Sequence, residues 1–169
     1  MSAMKNDGTE RLLTLTLGGD FFAMDIYSVR EILDMTDITR IPQTPDYMAG
    51  VVNVRGAAVP VIDLRLKFGM PRGERTLNTR IVIMEIKQGE GVTAIGAIAD
   101  SVREVLELEA SKIDPAPRMG AAVSTEYLKG IGKHEGRFIL VLDVDKVFST
   151  DEIIDISKAR QEMGQAEAA

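Results

Sequence analysis

The chain has 169 residues, 45% of them hydrophobic and 27% charged, which suits one domain or two small subdomains sharing a core. Its formal charge of −6 argues against a general nucleic-acid binder, and the absence of cysteine excludes disulfides, thiolate metal sites and thiol nucleophiles. With one histidine, His134, there is no His-rich metal site, and the apolar runs fall far short of the roughly 20 residues that span a bilayer. The polar first residues lack the apolar core of a secretory signal, so a cytoplasmic protein is expected.

Residues 1–10 read as a flexible N-terminus. Leu13 to Leu17 then alternates apolar and polar, turns at Gly18-Gly19-Asp20 and continues as Phe21 to Ile26, a β-hairpin pattern. Ser28-Val29-Arg30-Glu31 has capping-box spacing and predicts a short helix. A cap is the simpler reading of Glu31, and a surface contact is the alternative. Val51 to Val54 and Ala57 to Ile62 flank Arg55-Gly56 as a second hairpin. Asp63 begins a helical turn that ends at Phe68. Arg80 to Lys87 and Val92 to Ala99 form a third hairpin around Gly89-Glu90-Gly91. Phe138 to Leu142 follows the turn at Glu135-Gly136, with His134 in that hairpin and structural. From Asp151 the tail reads as an amphipathic helix that frays beyond Gly164.

The order of these elements repeats. Ser28-Val29-Arg30-Glu31-Ile32-Leu33 recurs as Ser101-Val102-Arg103-Glu104-Val105-Leu106, with Ile exchanged for Val at one position. Tyr47 to Phe68 aligns with Tyr127 to Phe148 without a gap, matching at Gly50/Gly130, Gly56/Gly136, Val61/Val141 and Asp63/Asp143. Two matches in the same order predict two homologous β-subdomains, with strands able to cross between them and a third core where they meet. A groove between them is the natural partner site. Residues matched in both halves are architectural: Asp63 and Asp143 as caps, Gly56 and Gly136 at positive φ, Phe68 and Phe148 as plugs of each barrel's open end. Residues that differ are candidates for function. Arg55 stands where the other half has Glu135, and turn chemistry alone leaves open whether that contrast matters.

No set of residues combines a nucleophile, a base and oxyanion donors, and no loop fits a nucleotide or a metal, so neither catalysis nor a cofactor is expected. The alternative of a small β-barrel binding single-stranded nucleic acid needs stacking aromatics and a basic track; this chain has no Trp, three Tyr and five Phe.

Gly50-Val51-Val52-Asn53-Val54-Arg55-Gly56 with Val59-Pro60-Val61-Ile62-Asp63-Leu64 resembles the most characteristic stretch of the CheW family. Asp100 to Leu106 and Ser124 to Gly130 resemble further stretches, and the likeness runs from about Leu13 to Phe148. The resemblance implies a mainly β fold of two SH3-like five-stranded barrels over residues 11–150, followed by a C-terminal helix and tail over 151–169. It implies a free-standing, non-enzymatic adaptor that binds the cytoplasmic hairpin tips of chemoreceptors and the regulatory domain of the kinase CheA. Carried over position by position, receptor binding falls on Val29, Glu31, Ile32, Arg55, Ile81, Val102 and Val105, and kinase binding on Val29 and Gly50. Neither nucleic acid nor membrane insertion is implied; receptor arrays tie the adaptor to the membrane through its partners.

Overall fold

A computed structural model describes residues 8–88, 90–115, 125–149, 151–158 and 161. The expectations for the start of the N-terminus and for the end of the tail lie outside these residues. The strands are β1 (Thr9–Leu17), β2 (Asp20–Asp25), β3 (Val29–Asp34), β4 (Met48–Val54), β5 (Ala57–Asp63), β6 (Arg80–Gln88), β7 (Gly91–Ala99), β8 (Ser101–Glu109), β9 (Leu128–His134) and β10 (Arg137–Leu142). A one-turn helix α1 (Leu64–Lys67) follows β5, and a helix α2 covers residues 151–158.

The strands form two five-stranded sheets, ordered β8-β1-β2-β10-β9 and β3-β6-β7-β5-β4. β3 to β7 make a central subdomain, and β1, β2 and β8 to β10, from the two flanks of the chain, make a terminal one. The same plan builds both. A hairpin (β1–β2 or β6–β7) takes an antiparallel neighbour on one side, β8 or β3. On its other side it takes a parallel one, β10 or β5. Each initial hairpin thus joins strands of the other repeat, so the two repeats have exchanged partners. Ala23 lies opposite Val141 in one subdomain, as Gly96 lies opposite Val61 in the other.

Three cores result. Val52, Val59, Val61, Ile81, Ile83 and Ile98 fill the central subdomain; Leu12, Ala23, Leu106, Leu108, Ile139 and Val141 fill the terminal one. The largest core lies between them and takes residues from both sheets, among them Leu15, Phe22, Met84, Ile95, Phe68 and Phe148. Burial of this junction ties together two units that would each be small for independent stability.

The duplicated residues sit in matching surroundings. Asp63 accepts from the amides of Arg65 and Leu66 at 3.0 and 3.4 Å, and Asp143 from the Asp145 amide at 3.2 Å. Their own amides donate to the carbonyls of Tyr47 and Tyr127 at 2.7 and 2.8 Å. Two expectations need correction. Ser28 and Ser101 do not cap helices: Ile26–Ser28 is a single 3-10 turn capped by Asp25, and both repeats of the motif run as strands. A capping box occurs instead at Ser149–Glu152, where the Ser149 amide donates to the Glu152 carboxylate at 2.9 Å and the Glu152 amide to the Ser149 hydroxyl at 3.1 Å. Phe68 and Phe148 do not plug separate barrels. Phe68 packs against Phe22 and Tyr127, and Phe148 against Tyr47, so each ring joins the two halves.

Candidate functional site

β3 and β8 end their sheets, so each has an outer edge with no strand partner in its sheet. Near the start of each, Val29 and Val102 are half-buried and pack on the shared core. Farther along, Ile32 and Val105 project outward, 41% and 49% exposed. The duplication therefore supplies two matched apolar pairs along the rim of the junction.

The hairpin tips differ in charge but not in backbone. Arg55 and Gly56 have φ of 53° and 86°, and Glu135 and Gly136 have 51° and 77°, as a two-residue turn between twisted strands requires. The Asn53 side chain fastens the first tip by accepting from the Gly56 amide at 2.8 Å. Arg55 leans toward β3, its guanidinium 3.3 Å from the Glu31 carboxylate, while the side chain stays 81% exposed. Glu31 is thus a partner for Arg55, not a helix cap. On the other side, Glu135 lines a surface pocket of about 150 Å³ with Glu104, Thr14, Phe21, His134 and Arg137. The His134 Nε2 lies 3.7 Å from Glu135.

This arrangement offers apolar side chains on two edge strands and, among the described residues, no converging set of reactive groups. A second cleft, of about 290 Å³, is lined by Asp25, Tyr27, Glu85, Lys129, Asp143 and Asp145. Its acids serve local structure: Asp25 and Asp143 cap turns, Asp145 accepts from the Lys87 amide at 2.9 Å, and Glu85 pairs with Arg30 at 3.1 Å.

A match to the CheW-like domain covers residues 11–152. The chain belongs to the CheW family. Chemotaxis protein CheW of Klebsiella aerogenes is 37% identical over 144 residues, spanning 85% of this chain and 84% of that protein. Protein FrzA of Myxococcus xanthus is 30% identical over 125 residues, 73% of this chain and 75% of that one. Among solved structures, the scaffolding protein TtCheW from Thermoanaerobacter tengcongensis superposes with a TM-score of 0.76 at 29% identity, covering 85% of this chain and 90% of its own. CheW proteins are chemotaxis scaffolds and not enzymes, and the double five-stranded fold agrees with that kinship.

On this CheW fold, Glu31 lies opposite Ile83 and pairs with Arg55, whereas Val29 and Ile32 lie opposite Met84 and Val82 on the shared-core face of β3, and Val102 and Val105, opposite Leu15 and Leu13, occupy the matching positions of the other half. Ile81 does not join them. It is 0% exposed, in the core of the central subdomain. Gly50 is buried as well. A Cβ there would lie 2.2 Å from the Thr39 carbonyl, and one at Gly130 would lie 2.3 Å from the Asp114 carbonyl. Close backbone approach calls for glycine at both positions.

The residue missed by sequence reasoning is Lys67. Its side chain is 7% exposed, and its ammonium pairs with Glu152 of α2 at 2.7 Å. The rings of Tyr47, Tyr127 and Phe148 surround it at 5.1, 5.4 and 5.4 Å. Burial pushes the Glu152 carboxyl up, but hydrogen bonds from Lys67 and the Ser149 amide outweigh it and hold the group below the usual carboxylate range. Burial and the neighbouring Glu152 charge push the Tyr47 hydroxyl up. Val147 is the counterpart of Lys67 in the second repeat, and that mismatch at an apolar position was the available signal.

Proposed function

We propose that this CheW-family chain couples the cytoplasmic hairpin tips of chemoreceptors to the regulatory domain of the kinase CheA, in the cytoplasm and without chemistry of its own. The observation that supports the receptor half is the matched pairs Val29/Ile32 and Val102/Val105 on the two edge strands, with an exposed Arg55 paired to Glu31 of the first strand. A helical hairpin buries its apolar face on such a strip, and a rim guanidinium binds a carboxylate or carbonyl of the tip through two parallel hydrogen bonds. In this reading the kinase takes a surface separate from the strip, and Val29, which the resemblance carries to both partners, is assigned to the receptor. The name of the Klebsiella relative supports the chemotactic setting; flagellar or pilus output is left to the partners present.

Calorimetry with a receptor cytoplasmic fragment tests this reading. Arg55→Glu is expected to weaken binding by about 1–3 kcal/mol, because charge-assisted bonds are lost and repulsion is added. Affinity for the kinase regulatory domain should stay within about twofold. Unchanged receptor affinity would remove Arg55 from the site.

A further inference from the structure

We propose that the cleft lined by Tyr27, Asp143 and Asp145 takes the guanidinium of an arginine on the receptor hairpin. This rests on the adaptor reading above. The duplication shows the equivalent place in a filled form. Asp143 and Asp145 hold the positions of Asp63 and Arg65, and Asp25 and Tyr27 hold those of Ile98 and Asp100. The parallel pairs Ala23–Val141 and Gly96–Val61 put the two sets at equivalent strand ends. In the filled form Arg65 forks onto Asp100, with Nε at 2.9 Å, and its Nη1 donates to the Pro71 carbonyl at 3.2 Å. Gly73 passes so close that a Cβ there would lie 2.5 Å from the guanidinium carbon. Only about 50 Å³ stays open beside that pair.

In the other half an acid, Asp145, stands at the position of Arg65, and a cleft of about 290 Å³ opens between the subdomains. The tie between subdomains survives in reversed form: Asp100 accepts from the Gly18 amide at 2.8 Å, and Asp145 from the Lys87 amide at 2.9 Å. Asp25, Asp143 and Asp145 each accept their backbone bond with Oδ1, and their Oδ2 atoms have no hydrogen-bond partner among the described residues. Of the two lysines on the wall, Lys129 pairs with Glu10 at 3.9 Å, and Lys87 pairs with no carboxylate among the described residues. Tyr27 is 79% exposed, and its ring stacks on no other among the described residues. A guanidinium can lie flat on such a ring and donate in pairs to the carboxylates beside it, which an ammonium cannot do. Tyr27 and Ser28 lead directly into β3, whose Val29 and Ile32 the adaptor reading gives to the receptor. That continuity places the arginine on the receptor.

Calorimetry with a receptor cytoplasmic fragment tests this. Asp145→Asn keeps an acceptor for the Lys87 amide and should weaken receptor binding by about tenfold, the loss of a charge-assisted bond. Tyr27→Leu removes the stacking face and should weaken it by about threefold. Urea unfolding should show both variants folded as the parent, and affinity for the kinase regulatory domain should stay within about twofold. Tyr27→Asp with Asp145→Arg copies the filled half; it should occupy the cleft from within and weaken receptor binding by about tenfold as well. The arginines of the fragment are then replaced by glutamine one at a time. One of these replacements should cost nothing further once Asp145→Asn is present, as a direct pair requires. Full receptor affinity in Asp145→Asn, or additive losses for every arginine, would overturn the inference while the adaptor reading stands. Absence of any binding of the parent chain to the fragment would sink both.

Discussion

In the central subdomain Gly50 passes under the Thr39 carbonyl, and in the terminal subdomain Gly130 passes under the Asp114 carbonyl. Each glycine lies in the strand before the charged hairpin tip, and the residue two places earlier packs at the junction. At these positions the two units are interchangeable. At others they are not: Arg55 faces Glu135, Lys67 replaces Val147, and Arg65 replaces Asp145. The contrast separates residues that a strand exchange needs twice from residues that a partner or a tail needs once. Arg65 illustrates the second kind. Its guanidinium forks onto Asp100, with Nε 2.9 Å from the carboxylate, and Asp100 also accepts from the Gly18 amide at 2.8 Å. One ion pair thereby ties α1 to the β1–β2 turn of the other subdomain.

The largest effects should come from the matched positions and be equal in kind. Gly50→Ala and Gly130→Ala each force a backbone shift against a carbonyl, and each should cost about 3 kcal/mol or more in urea unfolding. A large loss at one and none at the other would break the equivalence of the two units.

Next come the positions used once. Glu152→Gln leaves a buried ammonium without its counter-charge and should cost about 2 kcal/mol, while Lys67→Met, which removes the charge too, should cost less. The carboxyls of Glu152 and Asp100 both titrate below their usual range when folded. Their contribution is therefore complete above the ordinary carboxylate pKa of about 4 and is lost as pH falls through the depressed values. Glu152→Gln should flatten the acid limb of the stability–pH curve, whereas Val147→Ala should lower the curve without changing its shape.

The smallest effects belong to the exposed tips. Arg55→Asn and Glu135→Asn relieve positive-φ strain and should change stability by about 0.5 kcal/mol or less, upward, since the surface pair with Glu31 is worth little. Thermal melts check the sign.

Much of this was legible in the residues, and the exceptions have physical causes. The repeat, the Asp caps and the hairpin turns rest on short-range chemistry that sequence displays directly. The Ser28 and Ser101 motifs satisfy a capping pattern too, yet both run as strands. There, pairing with β6 and β1, joined in β3 by an alternation of half-buried and exposed side chains, overrides a local preference. The partner exchange leaves no trace in sequence, because equivalent strands fit either hairpin. Ile81, which the resemblance carries to the receptor site, is fully buried in a strand with neighbours on both sides; an apolar residue in a central strand reads alike whether it faces a core or a groove. Lys67 escaped notice because its partner lies in a distant helix.

The central claim is that the chain holds both partners at once on separate surfaces, and sedimentation of the chain with a receptor cytoplasmic fragment and the CheA regulatory domain tests it most directly. A complex containing all three is predicted, with Arg55→Glu losing the receptor and keeping the kinase. Competition, in which adding one partner displaces the other, would contradict it.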